Sequence, residues 1–161
     1  MRPHDPSPPP GAGIGAEGET ARPSEPARPR VLIVEDQALI ALSLAADLTA
    51  MSCEVVGRAA TGEGAIELAR RHAPDIVVMD VHLVGRVDGI EAAAAIQAQC
   101  SPRIIFVTAY ADGPDRPRMD ALRPAAILSK PYHPSELSLA VHLCGRERVR
   151  SPARLAAAPG G

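Results

Sequence analysis

The chain has 161 residues, one ordinary domain rather than two, and its formal charge of −2 gives no electrostatic case for binding nucleic acid or an anionic membrane surface. No apolar run approaches the ~18–20 residues of a membrane span, and the N-terminus lacks the charged-then-apolar plan of a signal peptide. A soluble, cytoplasmic protein is expected, with no membrane partner and no DNA binding by this chain.

Residues 1–30 hold eight prolines and four glycines among four acidic and four basic side chains, without apolar periodicity. Such a stretch buries too little surface to offset its ordering entropy, so a disordered tail is expected. Pro8-Pro9-Pro10 fits a polyproline ligand, but a passive tail is the plainer reading. Val31 to Val34 is a short apolar run, as in a strand buried on both faces. Gln37 to Ala50, rich in Ala and Leu, reads as a helix. Glu54-Val55-Val56 reads as a second strand, and Thr61 as the N-cap of a helix running to about His72. Asp75 to Met79 is a third strand, introduced by Pro74. Asp88 with Glu91 three residues on resembles a capping box, opening an Ala-rich helix over 88–98.

Arg103 to Val107 is a fourth strand. The region from Asp112 to Arg123 carries Pro114 and Pro117, and proline inside a helix costs ~3 kcal/mol. A short helix or a mobile loop is expected there. Ala125 to Leu128 is a fifth strand, and Pro134 suits the first position of a helix over 134–145. A folded domain over 31–145 and a flexible C-terminal tail over 146–161 follow. Aromatic residues make up only 2% of the chain, so the core must come from Ala, Val, Leu and Ile. Cys53, Cys100 and Cys144 are widely spaced and odd in number, which supports neither zinc nor a disulfide frame; buried, reduced thiols are the default.

Strands alternating with helices imply a parallel sheet covered on both faces. Periodicity alone leaves the strand order open. Four strand runs end in polar residues: the first at Glu35-Asp36, the third at Asp80, the fourth at Thr108 and the fifth at Lys130. Parallel strands put these ends on one edge, where open α/β sheets bind ligands. Lys130 is the only lysine beside sixteen arginines. An ammonium is a point charge where a guanidinium is a planar fork, so one retained lysine suggests a tight anionic site. Three neighbouring carboxylates repel one another unless a cation sits among them, and oxygen ligands at that density suit Mg²⁺. A carboxylate beside such an ion can accept a phosphoryl group, with Lys130 pairing with one oxygen and Thr108 donating to another.

The ordered set Glu35-Asp36, Asp80, Thr108 and Lys130-Pro131, each at a strand end, resembles the receiver domain of two-component response regulators over about residues 31–145. The resemblance implies a flavodoxin-like (βα)₅ doubly wound parallel sheet with strand order 2-1-3-4-5. It implies Asp80 as phosphoacceptor and Asp36 as a direct Mg²⁺ ligand. Glu35 would bind through water, and the His82 backbone carbonyl would be a third protein ligand. Thr108 and Lys130 match the switch hydroxyl and the phosphate-binding amine, and Pro131 the proline joined by a cis peptide bond. Ile127 stands where receivers usually carry an aromatic. Phe106-Val107-Thr108-Ala109-Tyr110 resembles a subset of receivers, including general stress-response regulators, which makes Tyr110 the switch candidate. The implied partners are a sensor histidine kinase or a histidine phosphotransfer protein and an unidentified downstream protein target, with room for a homodimer.

Other readings fit less well. Phosphatases that form an aspartyl phosphate carry a second Asp two residues beyond the nucleophile; here that residue is His82, and no cap domain fits. A nucleotide-binding fold needs a glycine-rich turn after the first strand, which Val34-Glu35-Asp36-Gln37 lacks. A degenerate, partner-binding pseudo-receiver is disfavoured by the presence of all five residues. No helix-turn-helix, catalytic output module or kinase domain fits after Gly145. A stand-alone receiver that signals by protein contacts, and is not a turnover enzyme, is expected.

Overall fold

The computed structural model describes residues 27–148; the expectations for 1–26 and 149–161 lie outside the described residues. Ten elements alternate: β1 Arg30–Val34, α1 Ala38–Ala50, β2 Glu54–Ala59, α2 Gly62–His72, β3 Ile76–Met79, α3 Gly89–Cys100, β4 Arg103–Thr108, α4 Arg116–Ala121, β5 Ala126–Ser129 and α5 Pro134–Arg148. All strand pairs are parallel, and the sheet order is β2-β1-β3-β4-β5, the order that the family resemblance implies.

The strands alternate with period 2, so each contributes to two cores. Leu32, Val34, Val77, Met79, Ile104 and Phe106 point to one face, against Ala65 and Ala69 of α2 and Ile90, Ala93 and Ile96 of α3. Val31, Ile33, Ile76, Val78, Ile105 and Val107 point to the other, against Leu44 and Leu48 of α1 and Leu137 and Val141 of α5. Small alanines on α2 and α3 bring those helices close to the sheet, and Phe106 is the one aromatic of the chain among the fully buried large side chains described.

Local signals act as the sequence predicts. The Thr61 side chain accepts from the Gly64 N–H at 3.1 Å and caps α2. Asp88 Oδ1 accepts from Glu91 N–H at 2.8 Å, while Glu91 Oε2 accepts from Asp88 N–H at 3.0 Å, the reciprocal capping box of α3. One difference stands out. β2 runs three residues further than the Glu54-Val55-Val56 signal, because pairing with β1 carries Gly57-Arg58-Ala59 along as strand. α4 is the short helix expected there, six residues long; Pro117 falls in its first turn, where no intrahelical N–H bond is lost.

The sheet edge that matters is the carboxyl end. β1 lies between β2 and β3, so the chain changes direction of winding between β1 and β3, and a crevice opens above that point.

Candidate functional site

The backbone at this crevice is fixed by the last rungs of the sheet. Glu35 N–H donates to the Ala59 carbonyl at 3.0 Å, Asp80 N–H to Val34 at 2.9 Å, and Lys130 N–H to Thr108 at 2.8 Å. Each polar residue is thus the first beyond a strand, and its side chain starts from a position fixed by the sheet. Glu35, Asp80 and Thr108 are the buried polar or charged residues described, at 3%, 7% and 0% exposure. Burial of that degree requires partners.

Lys130 supplies them for the two carboxylates. Its Nζ donates to Glu35 Oε2 at 2.6 Å and to Asp80 Oδ2 at 2.9 Å. Burial pulls this amine downward, but the hydrogen bonds and charges of Glu35 and Asp80 outweigh it and leave its pKa raised above the ordinary lysine value. The remaining carboxylate oxygens are held by backbone: Glu35 Oε1 accepts from Gln37 N–H at 3.0 Å, and Asp80 Oδ1 from His82 N–H at 3.2 Å. The Lys130–Pro131 bond is cis.

Glu35, Asp36 and Asp80 each offer an oxygen within 4.8 Å of the others. Three carboxylates against one ammonium leave a formal charge of −2 on the cluster (−3 + 1). A divalent cation with hard-oxygen preference fits both the charge and the donor set. Asp36 is the more exposed of the three, so an ion would reach the cluster from its side.

Thr108 lies at the end of β4, and its Oγ1 accepts from Tyr110 N–H at 3.3 Å. Tyr110 itself is 64% exposed. Its ring meets His82 edge-on, with centroids 5.6 Å apart. The His82 side chain, expected to be either a neighbour of the site or an idle imidazole, places Nε2 3.5 Å from Asp115 Oδ2. The structure thus brings Glu35, Asp36, Asp80 and Lys130 together directly, with Thr108 and His82 joined through backbone bonds and Tyr110 at the rim.

Sequence reasoning missed Gly89. A Cβ there would stand 1.9 Å from the Asp80 carbonyl oxygen, so only glycine lets α3 begin so close to the acidic residue. The available signal was a glycine at the first helical position, where most residues are better helix formers. The thiols also differ from expectation in one respect: Cys53 and Cys144 are buried, and burial pushes the Cys53 thiol up, but Cys100 is only half-buried.

Comparison with known proteins agrees with this fold. The family model for the response regulator receiver domain matches residues 31–142. The transcriptional regulatory protein PdtaR of Mycobacterium tuberculosis is 39% identical over 117 residues, covering 71% of this chain and 55% of the relative, so this chain spans about half the length of that protein. The signal receiver domain of a modulated diguanylate cyclase from Desulfovibrio desulfuricans G20 superposes with a TM-score of 0.72 at 32% identity, covering 78% of this chain and 100% of that one. The receiver domain of the response regulator NarL from Mycobacterium tuberculosis gives 0.68 at 29%, covering 75% and 98%. The chain belongs to the response regulator receiver domain family, the signalling modules of two-component systems.

Proposed function

We propose that Asp80 is a phosphoacceptor in a two-component phosphorelay. One of its carboxylate oxygens attacks the phosphorus of a phosphohistidine on a sensor histidine kinase or a histidine phosphotransfer protein. The P–N bond breaks, an Oδ–P bond forms, and the imidazole leaves with the electron pair. The observation that carries this reading is the pairing of a buried carboxylate, Asp80, with the single ammonium, Lys130, inside an otherwise acidic cluster. In this role Lys130 pairs with a phosphoryl oxygen and Thr108 turns its hydroxyl toward another. Asp36 and Asp80 would hold Mg²⁺ directly, with the His82 carbonyl as a further protein ligand and Glu35 acting through water. When bound, the ion neutralises phosphoryl charge.

A protein donor fits better than a small molecule. A groove of about 620 Å³ runs beside the site, lined by Leu39, Ile40, Asp47, Lys130, Tyr132 and Pro134. Leu39 and Leu42 of α1 and Leu139 and Leu143 of α5 are exposed apolar residues on the same side of the sheet. We assign output to protein contacts rather than DNA contact, given the formal charge of −2. The mycobacterial relative is a transcriptional regulatory protein, which supports a downstream effect on gene expression reached through such a target.

Labelling by acetyl phosphate or a cognate kinase, with Mg²⁺, tests the assignment on wild type and Asp80→Ala. The expected result is an alkali-labile label on the wild type only. A label that persists on Asp80→Ala would sink it.

A further inference from the structure

α4 is weakly embedded. Of its six residues only Met119 is buried. Arg116 binds within its own segment, to Asp112 and Asp120, both at 3.0 Å. Arg118 reaches outward instead. Its Nη1 meets Asp115 Oδ1 at 2.9 Å, and its Nη2 meets Asp88 Oδ2, thirty residues away, at 2.8 Å.

Those two carboxylates lead back to the acidic site by different routes. His82 Nε2 lies 3.5 Å from Asp115 Oδ2, and the His82 backbone N–H donates to Asp80 Oδ1. Asp88 caps α3, whose first residue, Gly89, donates to the Val81 carbonyl at 2.9 Å. Both ends of the β3–α3 loop are therefore tied to α4, and one guanidinium closes the circuit. A lysine ammonium offers one nitrogen where the guanidinium uses two, Nη1 and Nη2.

We propose that Arg118 is a positioning residue: shared between Asp88 and Asp115, it latches α4 onto the β3–α3 loop and fixes His82 and Tyr110 at the mouth of the acidic site. An isolated surface ion pair contributes little, but a two-pronged network joining separate elements restrains their relative motion. Arg118 is pushed further up, by its bonds to Asp88 and then Asp115, which fits a guanidinium engaged on both sides. The effect of the latch on an acyl phosphate rests on the phosphoacceptor reading of Asp80; the latch itself does not.

Amide hydrogen exchange on the full, unphosphorylated chain tests it. In Arg118→Ala, exchange at Met119 and Leu122 of the α4 segment and at His82 and Gly89 of the loop accelerates together, roughly threefold to tenfold. Asp88→Asn keeps the helix cap, since Asn caps as well as Asp, yet reproduces the acceleration. Arg118→Lys restores only part of the protection, and about 1 M salt mimics the loss in the wild type. Acceleration confined to α4 would reduce Arg118 to a local helix residue, and no acceleration would remove the latch altogether. Labelled protein then reads the consequence: the acyl phosphate lifetime in Arg118→Ala shifts by roughly twofold or more. An unchanged lifetime beside faster exchange overturns the coupling to the site. A wild type that takes no label counts against the Asp80 reading alone, because the exchange result still decides the latch.

Discussion

Lys130 Nζ is closer to Glu35, at 2.6 Å, than to Asp80, at 2.9 Å. The amine is thus engaged first with a buried glutamate, and Glu35 depends on it. Lys130→Met strands a Glu35 side chain that is only 1% exposed. The expected loss of stability is about 3 kcal/mol by denaturant titration, and adding Glu35→Gln should recover part of it. Lys130→Arg keeps the charge but replaces the one nitrogen shared by Glu35 and Asp80 with a wider planar fork, so it should impair signalling more than metal binding. The pKa of Lys130 is raised on folding, so its contribution is complete below the ordinary lysine value and disappears only as pH rises through the higher folded value. The stability gap between wild type and Lys130→Met should therefore stay flat from about pH 7 to 10.

Mg²⁺ should stabilise the protein, because it offsets the formal charge of −2 that the three carboxylates and one ammonium leave behind. At a hundredfold excess over the dissociation constant the gain is about 2.7 kcal/mol, seen as a rise in Tm. Asp36→Asn should abolish most of that rise. An Asp36→Asn protein that responds to Mg²⁺ like the wild type would show that the ion binds elsewhere.

Gly89→Ala should be among the most damaging single-methyl additions in the domain. The new Cβ would lie 1.9 Å from the Asp80 carbonyl oxygen and 2.9 Å from Val81 Cα, both backbone atoms that side-chain rotation cannot move. We expect a loss of at least ~2 kcal/mol and, in whatever protein folds, a displaced Asp80 with reduced labelling.

Asp88→Ala removes the side-chain acceptor of the α3 cap and should cost about 1 kcal/mol. Burial pushes the Asp88 carboxyl up, but backbone bonds from Glu91 and Ile90 and the Arg118 guanidinium outweigh it, so its pKa is lowered. A depressed folded value means that the contribution is present above the ordinary carboxylate range and is lost as pH falls through the folded value. The difference between wild type and Asp88→Ala should narrow in acid, by thermal melts across that range.

Tyr110→Ala should change stability by less than ~0.5 kcal/mol, since the ring is 64% exposed. If the residue acts in switching, the variant should still take the label while failing to engage its target. Normal signalling once labelled would rule out that role.

Much of the fold is legible because local and global signals coincide. Thr61, Asp88 and Pro134 stand at helix starts, and four of the five strands are short apolar runs. The polar residues ending those runs mark the site, because a parallel sheet gathers strand ends without help from any contact between them. Two kinds of information are not in the linear pattern. The close approach of Gly89 to Asp80 depends on the path of a loop, which leaves no periodic trace. The bond from Arg118 to Asp88 joins residues thirty apart on exposed surfaces, where the sequence shows only two of many charges. The commitment of Lys130 to Glu35 was hidden for another reason: both residues were identified, but pairing distances within a cluster follow from three-dimensional placement alone.

The shortage of aromatics has a practical consequence. With no tryptophan and two tyrosines, the near-ultraviolet emission of this chain comes from Tyr110 and Tyr132. One stands at the rim of the crevice against His82, and the other lines the groove beside Lys130. The molecule therefore carries intrinsic reporters on two sides of its acidic cluster and none in the distant core. If the cluster takes an ion or Asp80 a phosphoryl group, tyrosine emission should report it on unlabelled protein, and Tyr110→Phe and Tyr132→Phe separate the two signals.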